Sequence, residues 1–187
     1  MEQSGDLTTF SKPPEDQERI FLSLGSNLGG RFERIAEAIG LLGKRDVRIC
    51  CQSAVYETQP VEVVDQPDFL NLCCEVKTLL DPEGLIDTCL SIEEELGRQR
   101  IRPKGPRAID IDILFYGQRI FRSSRLSIPH PALPRRRFVL VPMAEIAPEF
   151  RDPVSELTIC QLLRRCPDRS SVQVLNRFQI RSDSSDL

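Results

Sequence analysis

Tryptophan is absent from this 187-residue chain, and tyrosine occurs only twice. The aromatic-rich strands that RNA-recognition modules use to stack bases are therefore missing. Lysine is scarce as well: Lys12, Lys44, Lys77 and Lys104 are the four among 25 basic residues, so positive charge is carried mainly by arginine. Arginine is the better planar fork for phosphate oxygens. The net charge of −3 excludes a molecule built to wrap nucleic acid as a whole. No apolar run reaches the length of a membrane span, and the amino terminus has no apolar signal core. No CxxC spacing occurs among the seven cysteines, and their number is odd. Cys50-Cys51 and Cys73-Cys74 are adjacent pairs in strand-like segments, so each pair points to opposite faces. That geometry suits neither a shared metal nor a disulfide framework. The cysteines read as small, mostly buried hydrophobes of a cytoplasmic protein with no membrane partner.

What the chain does have is concentrated between Gly97 and Tyr116. Ile109, Ile111, Ile113 and Phe115 alternate with Asp110 and Asp112, the period of a half-buried strand. Residues two apart on a strand share a face at roughly 7 Å, so both carboxylates leave the sheet opposite the isoleucines. Two acids at that spacing repel unless a cation lies between them. Oxygen ligands without cysteine or histidine nearby suit Mg²⁺, which completes its shell with phosphate oxygens. Just upstream, Arg98, Arg100, Arg102, Lys104 and Arg107 give five positive charges and no acid from 97 to 107. Glycine and proline there rule out a regular helix or central strand. A cationic loop beside a two-carboxylate strand points to Mg²⁺ and polyphosphate; a solvated loop beside an exposed strand face is the plainer alternative.

Residues 1–18 are polar with Pro13-Pro14 and read as a disordered extension. A single domain over 19–166 is expected, with a partly disordered tail over 167–187. Ile20 to Leu24 reads as a central strand, followed by the Gly25–Gly30 turn. That turn lacks both phosphate-loop patterns, so it reads as mainly structural. A helix is expected from Arg31 to about Leu42, stopped by Gly43. One strand is expected over Val47 to Tyr56 and another over Phe69 to Leu79. In the latter Leu70, Leu72, Cys74 and Val76 take the core, which puts Phe69 and Asn71 together on the other face. An aromatic beside an amide there suits a flat heterocycle, or else simple edge packing. Asp81-Pro82 opens a helix as N-cap and N1, and Gly97 ends it. His130, fixed between Pro129 and Pro131 near Arg135-Arg136-Arg137, is placed for a phosphate. Glu156 to Cys166 reads as a last helix, with a short strand near Val172 to Leu175. The order β-α-β, β-α-β predicts an α+β fold, a ferredoxin-like antiparallel sheet covered by helices.

Gly25-Ser26-Asn27-Leu28-Gly29, Tyr56-Glu57-Thr58, Asp65-Gln66-Pro67-Asp68-Phe69-Leu70-Asn71, Gly105-Pro106-Arg107-Ala108-Ile109-Asp110-Ile111-Asp112 and Pro129-His130-Pro131 resemble, in order, the motifs of 6-hydroxymethyl-7,8-dihydropterin pyrophosphokinases. The resemblance implies transfer of the diphosphate of ATP to the pterin hydroxymethyl group with release of AMP, a step of folate biosynthesis. It implies two Mg²⁺ ions held by Asp110 and Asp112, with Arg98 and Arg107 catalytic. It implies pterin contacts from Thr58, Phe69, Asn71 and Phe138. ATP contacts are implied for Glu93, Arg100, Arg125, His130 and Arg136. Substrates are then ATP and the pterin, with no nucleic-acid partner and a monomer expected. Two departures stand out. Pro103-Lys104 replaces a basic residue and an aromatic, commonly Trp, before the GPR motif. Gln59-Pro60-Val61-Glu62 replaces a more apolar, glycine-containing turn. The competing expectation is a non-catalytic ferredoxin-like module that binds nucleic acid through the arginine loop and Phe69.

Overall fold

The computed structural model describes residues 18–61, 65–98 and 105–176. Residues 1–17 of the extension expected over 1–18, most of the basic loop including Arg100, Arg102 and Lys104, Glu62, and residues 177–187 of the tail expected over 167–187 lie outside them. The elements in chain order are β1 (Ile20–Ser26), α1 (Arg31–Lys44), β2 (Arg48–Gln52), β3 (Val55–Thr58), β4 (Phe69–Lys77), α2 (Pro82–Glu95) and β5 (Asp110–Tyr116). They continue with β6 (Phe121–Arg122), β7 (Ser127–Ile128), a 3-10 turn (Leu133–Arg135), α3 (Arg137–Ile146), α4 (Ile159–Arg165) and β8 (Val172–Asn176).

Every residue of β1 is buried, as the short apolar run requires of a central strand. β1 pairs antiparallel with both β4 and β5. The main sheet has the order β5-β1-β4-β3-β8, with β2 also on β4. Its first four positions give the ferredoxin-like arrangement expected from the element order. β6 and β7 form a separate ribbon.

The two faces of the sheet build two cores. Leu22, Leu24, Leu70, Leu72, Cys74, Val76, Ile111 and Ile113 pack under α1 and α2 against Ile35, Ile39, Leu42, Leu85, Cys89 and Ile92. Phe21, Cys73, Leu114 and Phe115 pack under α3 and α4 against Val139, Leu140, Met143, Ile159 and Leu162. Phe21, Phe115 and Phe150 form an aromatic cluster on that side, with centroids 4.9 to 6.4 Å apart. Cys73 and Cys74 fall in different cores, as adjacent strand residues must. Burial raises the thiols of both, which keeps them as packing groups. All seven cysteines are free.

Several boundaries differ from the sequence expectation. Phe115 does not share the face of Ile111 and Ile113. The pairing with β1 shifts between Phe21↔Phe115 and Leu22↔Ile113, so Leu114 is an extra residue and the alternation changes phase beyond it. Gly43 lies inside α1, which runs to Lys44. The strand expected from Val47 to Tyr56 is split at Ser53-Ala54 into β2 and β3, and β3 reaches Thr58. The last helix starts at Ile159, not Glu156. Residues 151–158 are first closed by an Arg151↔Thr158 bridge and by Asp152 accepting from the Val154 and Ser155 amides. Thr158 and Gln161 then form a reciprocal capping box. α2 begins as expected, with the Asp81 carboxylate accepting from the Gly84 amide at 2.8 Å. No helix among the described residues is long and apolar enough to cross a membrane.

Candidate active site

Cross-strand register brings the acidic and amide residues into rows. Gly25 lies opposite Asn71 on one side and Asp110 on the other. Two residues back along β1, on the same face, Ser23 lies opposite Cys73 and Asp112. These residues share the face that α3 and α4 cover, and they lie near the end where α3 begins. A cavity of about 420 Å³ is left there, a size suited to a small organic ligand. Phe69, Asn71, Thr58, Phe138, Arg107, Arg136, Asp110 and Asp112 line it together with Gly25 and the Gln59–Val61 turn. Eight sequence-predicted residues thus meet in one place.

The amide end of the cavity is preset. The Asn71 side chain is buried and donates to Thr58 Oγ1 at 2.7 Å. Its Oδ1 sits 2.6 Å from where a Cβ on Gly25 would stand. Glycine at 25 is therefore needed for the close approach of this carboxamide, not for turn geometry alone. Phe69 is half-buried at the start of β4, and Phe138 is half-buried in the first turn of α3.

The acidic end is a network. Asp110 is ion-paired with Arg98 at 2.7 Å and with Arg107. Arg98 also pairs with Glu93. Glu93 is itself buried, and its Oε1 accepts the Ile111 amide at 2.7 Å, fixing the start of β5. Burial, then the charge of Asp110, raises Glu93 to about 6. Asp112 lies 3.5 Å from Arg136 and 3.9 Å from His130 Nε2. Its carboxyl is pushed up to about 7 by removal from water and then by Asp110. Burial and the Arg136 charge push His130 down to about 4, so near neutral pH it is an uncharged imidazole. Its Nδ1 accepts from the Ala132 amide at 3.3 Å.

The donor set fits Mg²⁺. Two carboxylates on one strand face at this spacing are relieved by a cation between them. Among the described residues no three His, Cys, Asp or Glu side chains converge on one point as a closed cage. An ion here needs oxygens from a ligand such as a polyphosphate, the usual Mg²⁺ arrangement.

Arg125 is not brought to the cavity. It is exposed and pairs with Glu83 at 3.0 Å and Asp87 at 2.8 Å on α2. Arg98, Glu93 and His130 do not line the cavity; Arg98 joins Glu93 to Asp110, and His130 lies 3.9 Å from Asp112. Sequence reasoning missed a node at Asn27, buried in a turn read as mainly structural. Its Oδ1 accepts the Arg107 amide at 2.8 Å. Its Nδ2 donates to Gln66 Oε1 at 3.2 Å and to the Pro67 carbonyl at 3.1 Å. One side chain thus fixes the segments before β4 and before β5 to each other. Arg31 does similar work at the rim, donating to the Asp68 carbonyl and pairing with Glu57, both at 2.8 Å. Short polar side chains in a turn carry no periodic signal; an Asn inside the glycine-rich turn that ends a central strand is the clue the sequence offers.

Residues 21–148 match the family described as 7,8-dihydro-6-hydroxymethylpterin-pyrophosphokinase. A 2-amino-4-hydroxy-6-hydroxymethyldihydropteridine pyrophosphokinase of Methylorubrum extorquens is 46% identical over 133 residues, 71% of this chain and 84% of that protein. The "Folic acid synthesis protein fol1" of Pneumocystis carinii is 41% identical over 160 residues, 86% of this chain. This chain spans only 22% of that much longer relative. The crystal structure of wild-type HPPK-DHPS from Plasmodium falciparum superposes with a TM-score of 0.63 at 17% identity, over 82% of this chain and 45% of that one. At that identity the likeness shows the fold. Nothing in these matches supports the nucleic-acid alternative, and Phe69 lines a cavity instead of an open sheet surface. With its motifs meeting in one cavity and its sequence matched over most of the sheet and α3, the chain belongs to the 7,8-dihydro-6-hydroxymethylpterin-pyrophosphokinase family.

Proposed function

We propose that this chain transfers the diphosphate of ATP to the hydroxymethyl group of 6-hydroxymethyl-7,8-dihydropterin, giving the pterin diphosphate and AMP in folate synthesis. The observation that carries the residue assignment is the row Asn71–Gly25–Asp110. It puts a preset carboxamide and a carboxylate pair in one cavity, separated only by a glycine. The pterin ring lies between Phe69 and Phe138, and Asn71 and the Thr58 backbone read its polar edge. ATP lies over Asp110 and Asp112, with Arg136, His130 and the Glu93–Arg98 pair around it; Arg100 and Arg125 are assigned to it by motif position alone. The hydroxymethyl oxygen attacks the β-phosphorus, the bond to the α–β bridging oxygen breaks, and AMP leaves with that oxygen. The proton passes to Asp112 or to water. Asp110 and Asp112 would hold two Mg²⁺ ions, which would supply neutralisation of the phosphate charge. Arg98 and Arg107, paired with Asp110 before substrate arrives, are free to exchange that carboxylate for phosphate oxygens as charge shifts. The free thiols support a reducing cytosol as the compartment, and the reading is of a monomer.

Asn71→Ala tests the assignment. Leaving polar ring atoms without partners costs about 1–3 kcal/mol, so pterin affinity should fall roughly ten- to a hundredfold while Mg²⁺-ATP affinity changes little. Calorimetry with each ligand separately checks this. Equal losses for both ligands would make Asn71 a fold residue and remove the pterin assignment.

Gly25→Ala should have a related effect by another route. The added methyl group needs the space of Asn71 Oδ1, so the carboxamide is driven off its Thr58 contact. The expected result is pterin affinity at least about tenfold weaker, with far-UV circular dichroism unchanged. Parental affinity in this variant would show that Asn71 is not held where it acts.

A further inference from the structure

The two walls of the cavity sit on separate elements. Thr58 ends β3 and leads into Gln59, Pro60 and Val61, while Arg136 and Phe138 flank the start of α3. One segment touches both walls, and it lies beyond the residues that the family match covers. α3 starts without a cap of its own: Arg136 makes no side-chain capping bond, and the first turn holds no acid. The missing acceptor comes from 31 residues downstream, where Asp168 Oδ2 accepts the Arg137 amide at 3.0 Å. Asp168 Oδ1 meanwhile accepts the Ser170 amide at 2.9 Å and the Ser170 hydroxyl, which turns the chain toward the sheet. Ser171 then meets Gln59 twice at 3.4 Å, backbone carbonyl to amide and amide to side-chain oxygen. β8 follows and pairs with β3, Val172 opposite Thr58 and Gln173 opposite Glu57. Thr58 is the residue whose hydroxyl receives Asn71.

We propose that Asp168 is a positioning residue for the pterin site, tying the Phe138-bearing start of α3 to the Thr58–Gln59 end of β3. The inference rests on the proposed function for the identity of the ligand. Burial raises the Asp168 carboxyl, but the hydrogen bonds from Ser170 and Arg137 outweigh it and hold the group below its usual value. It is therefore an ionised cap at a positive helix end, the favourable sign. Loosening this cap lets the first turn of α3 fray, and with it the Phe138 wall. The carboxylate pair on β5 keeps its Arg98 and Arg107 partners, so the nucleotide side feels the loosening less, through Arg136, 3.5 Å from Asp112.

The test compares full-length parent, Asp168→Ala and Asp168→Asn. In Asp168→Ala the KM for the pterin should rise several-fold to about tenfold, the scale of one lost cap. The KM for Mg²⁺-ATP, touched only through Arg136, should rise less than that for the pterin, and kcat should stay within about twofold. Asp168→Asn keeps a side-chain oxygen for the Arg137 amide and should recover most of the pterin KM. Hydrogen exchange should show the Arg137 to Leu140 amides opening faster in Asp168→Ala. A lower melting temperature with an unchanged pterin KM would overturn the proposal, leaving Asp168 a stabilising cap alone. So would equal loss for both substrates, or unchanged exchange in α3. If the parent forms no AMP at all, the activity reading fails instead. Exchange at α3 and calorimetric pterin binding then decide the role of Asp168 independently.

Discussion

Asp112→Asn should lower turnover by about a thousandfold or more while leaving the melting temperature unchanged or slightly higher. The two halves of this expectation come from the same geometry. Asp112 faces the cavity beside Asp110, and its raised carboxyl shows that its charge is held at a cost in the ligand-free protein. Asparagine is the same size and removes that cost. What it also removes is one of two anionic oxygen donors for the ions that escort ATP, and loss of several kcal/mol of charge stabilisation at the transition state is a thousandfold or more in rate. Steady-state AMP formation at saturating Mg²⁺, set beside thermal melting in a chelator, reads both halves. Near-parental turnover would show that Asp112 holds no ion. A large drop in melting temperature would show that its charge is a structural partner of Arg136, and the turnover loss would then say nothing about metal.

Arg98→Ala has the second large expected effect, and here stability and rate should separate differently. Arg98 bridges Glu93 and Asp110 with its side chain 16% exposed, against 3% for Glu93. Removing the guanidinium leaves Glu93 buried without its cation, so the variant should lose about 1.5–3 kcal/mol of stability, the worth of a hydrogen bond to a charged group. The double variant Arg98→Ala, Glu93→Gln should regain much of that, because the stranded charge is gone. Turnover should not return. An arginine that exchanges Asp110 for the transferring phosphates acts mainly in the transition state, so kcat should fall at least about a hundredfold in both variants with ATP affinity little changed. Melting curves, calorimetry with ATP and single-turnover rates separate the cases. If the double variant regains the rate along with the stability, Arg98 serves only to neutralise Glu93.

Much of this site is legible in the sequence because strand alternation is a strong local rule. The i, i+2 spacing of Asp110 and Asp112 was enough to put both acids on one face, and the register of Leu70, Leu72, Cys74 and Val76 was enough to put Phe69 and Asn71 off the core. Across strands the rule needs pairing, which local pattern does not contain. Gly25 reads as part of a turn, yet its work is done by standing between Asn71 and Asp110. The extra residue at Leu114 likewise shows only against β1, and it reverses the face that alternation assigns to Phe115. Side chains that act at long sequence separation were least visible. Asn27 reaches Arg107, 80 residues on, and Asp168 caps a helix that began 31 residues before it. Arg125 differs in the opposite sense: motif position puts it at the nucleotide, while in this structure it pairs with two acids one turn apart on α2.

The central claim is that the carboxylate pair and the aromatic–amide pair form one site that joins a diphosphate to a pterin alcohol. Its most direct measurement is the phosphorus NMR spectrum of products from the full chain incubated with Mg²⁺-ATP and 6-hydroxymethyl-7,8-dihydropterin. The account predicts AMP and a pterin diphosphate in equal amounts, with no orthophosphate, and no reaction when a chelator replaces Mg²⁺. Formation of ADP with a pterin monophosphate, or AMP with free pyrophosphate and unchanged pterin, would contradict it.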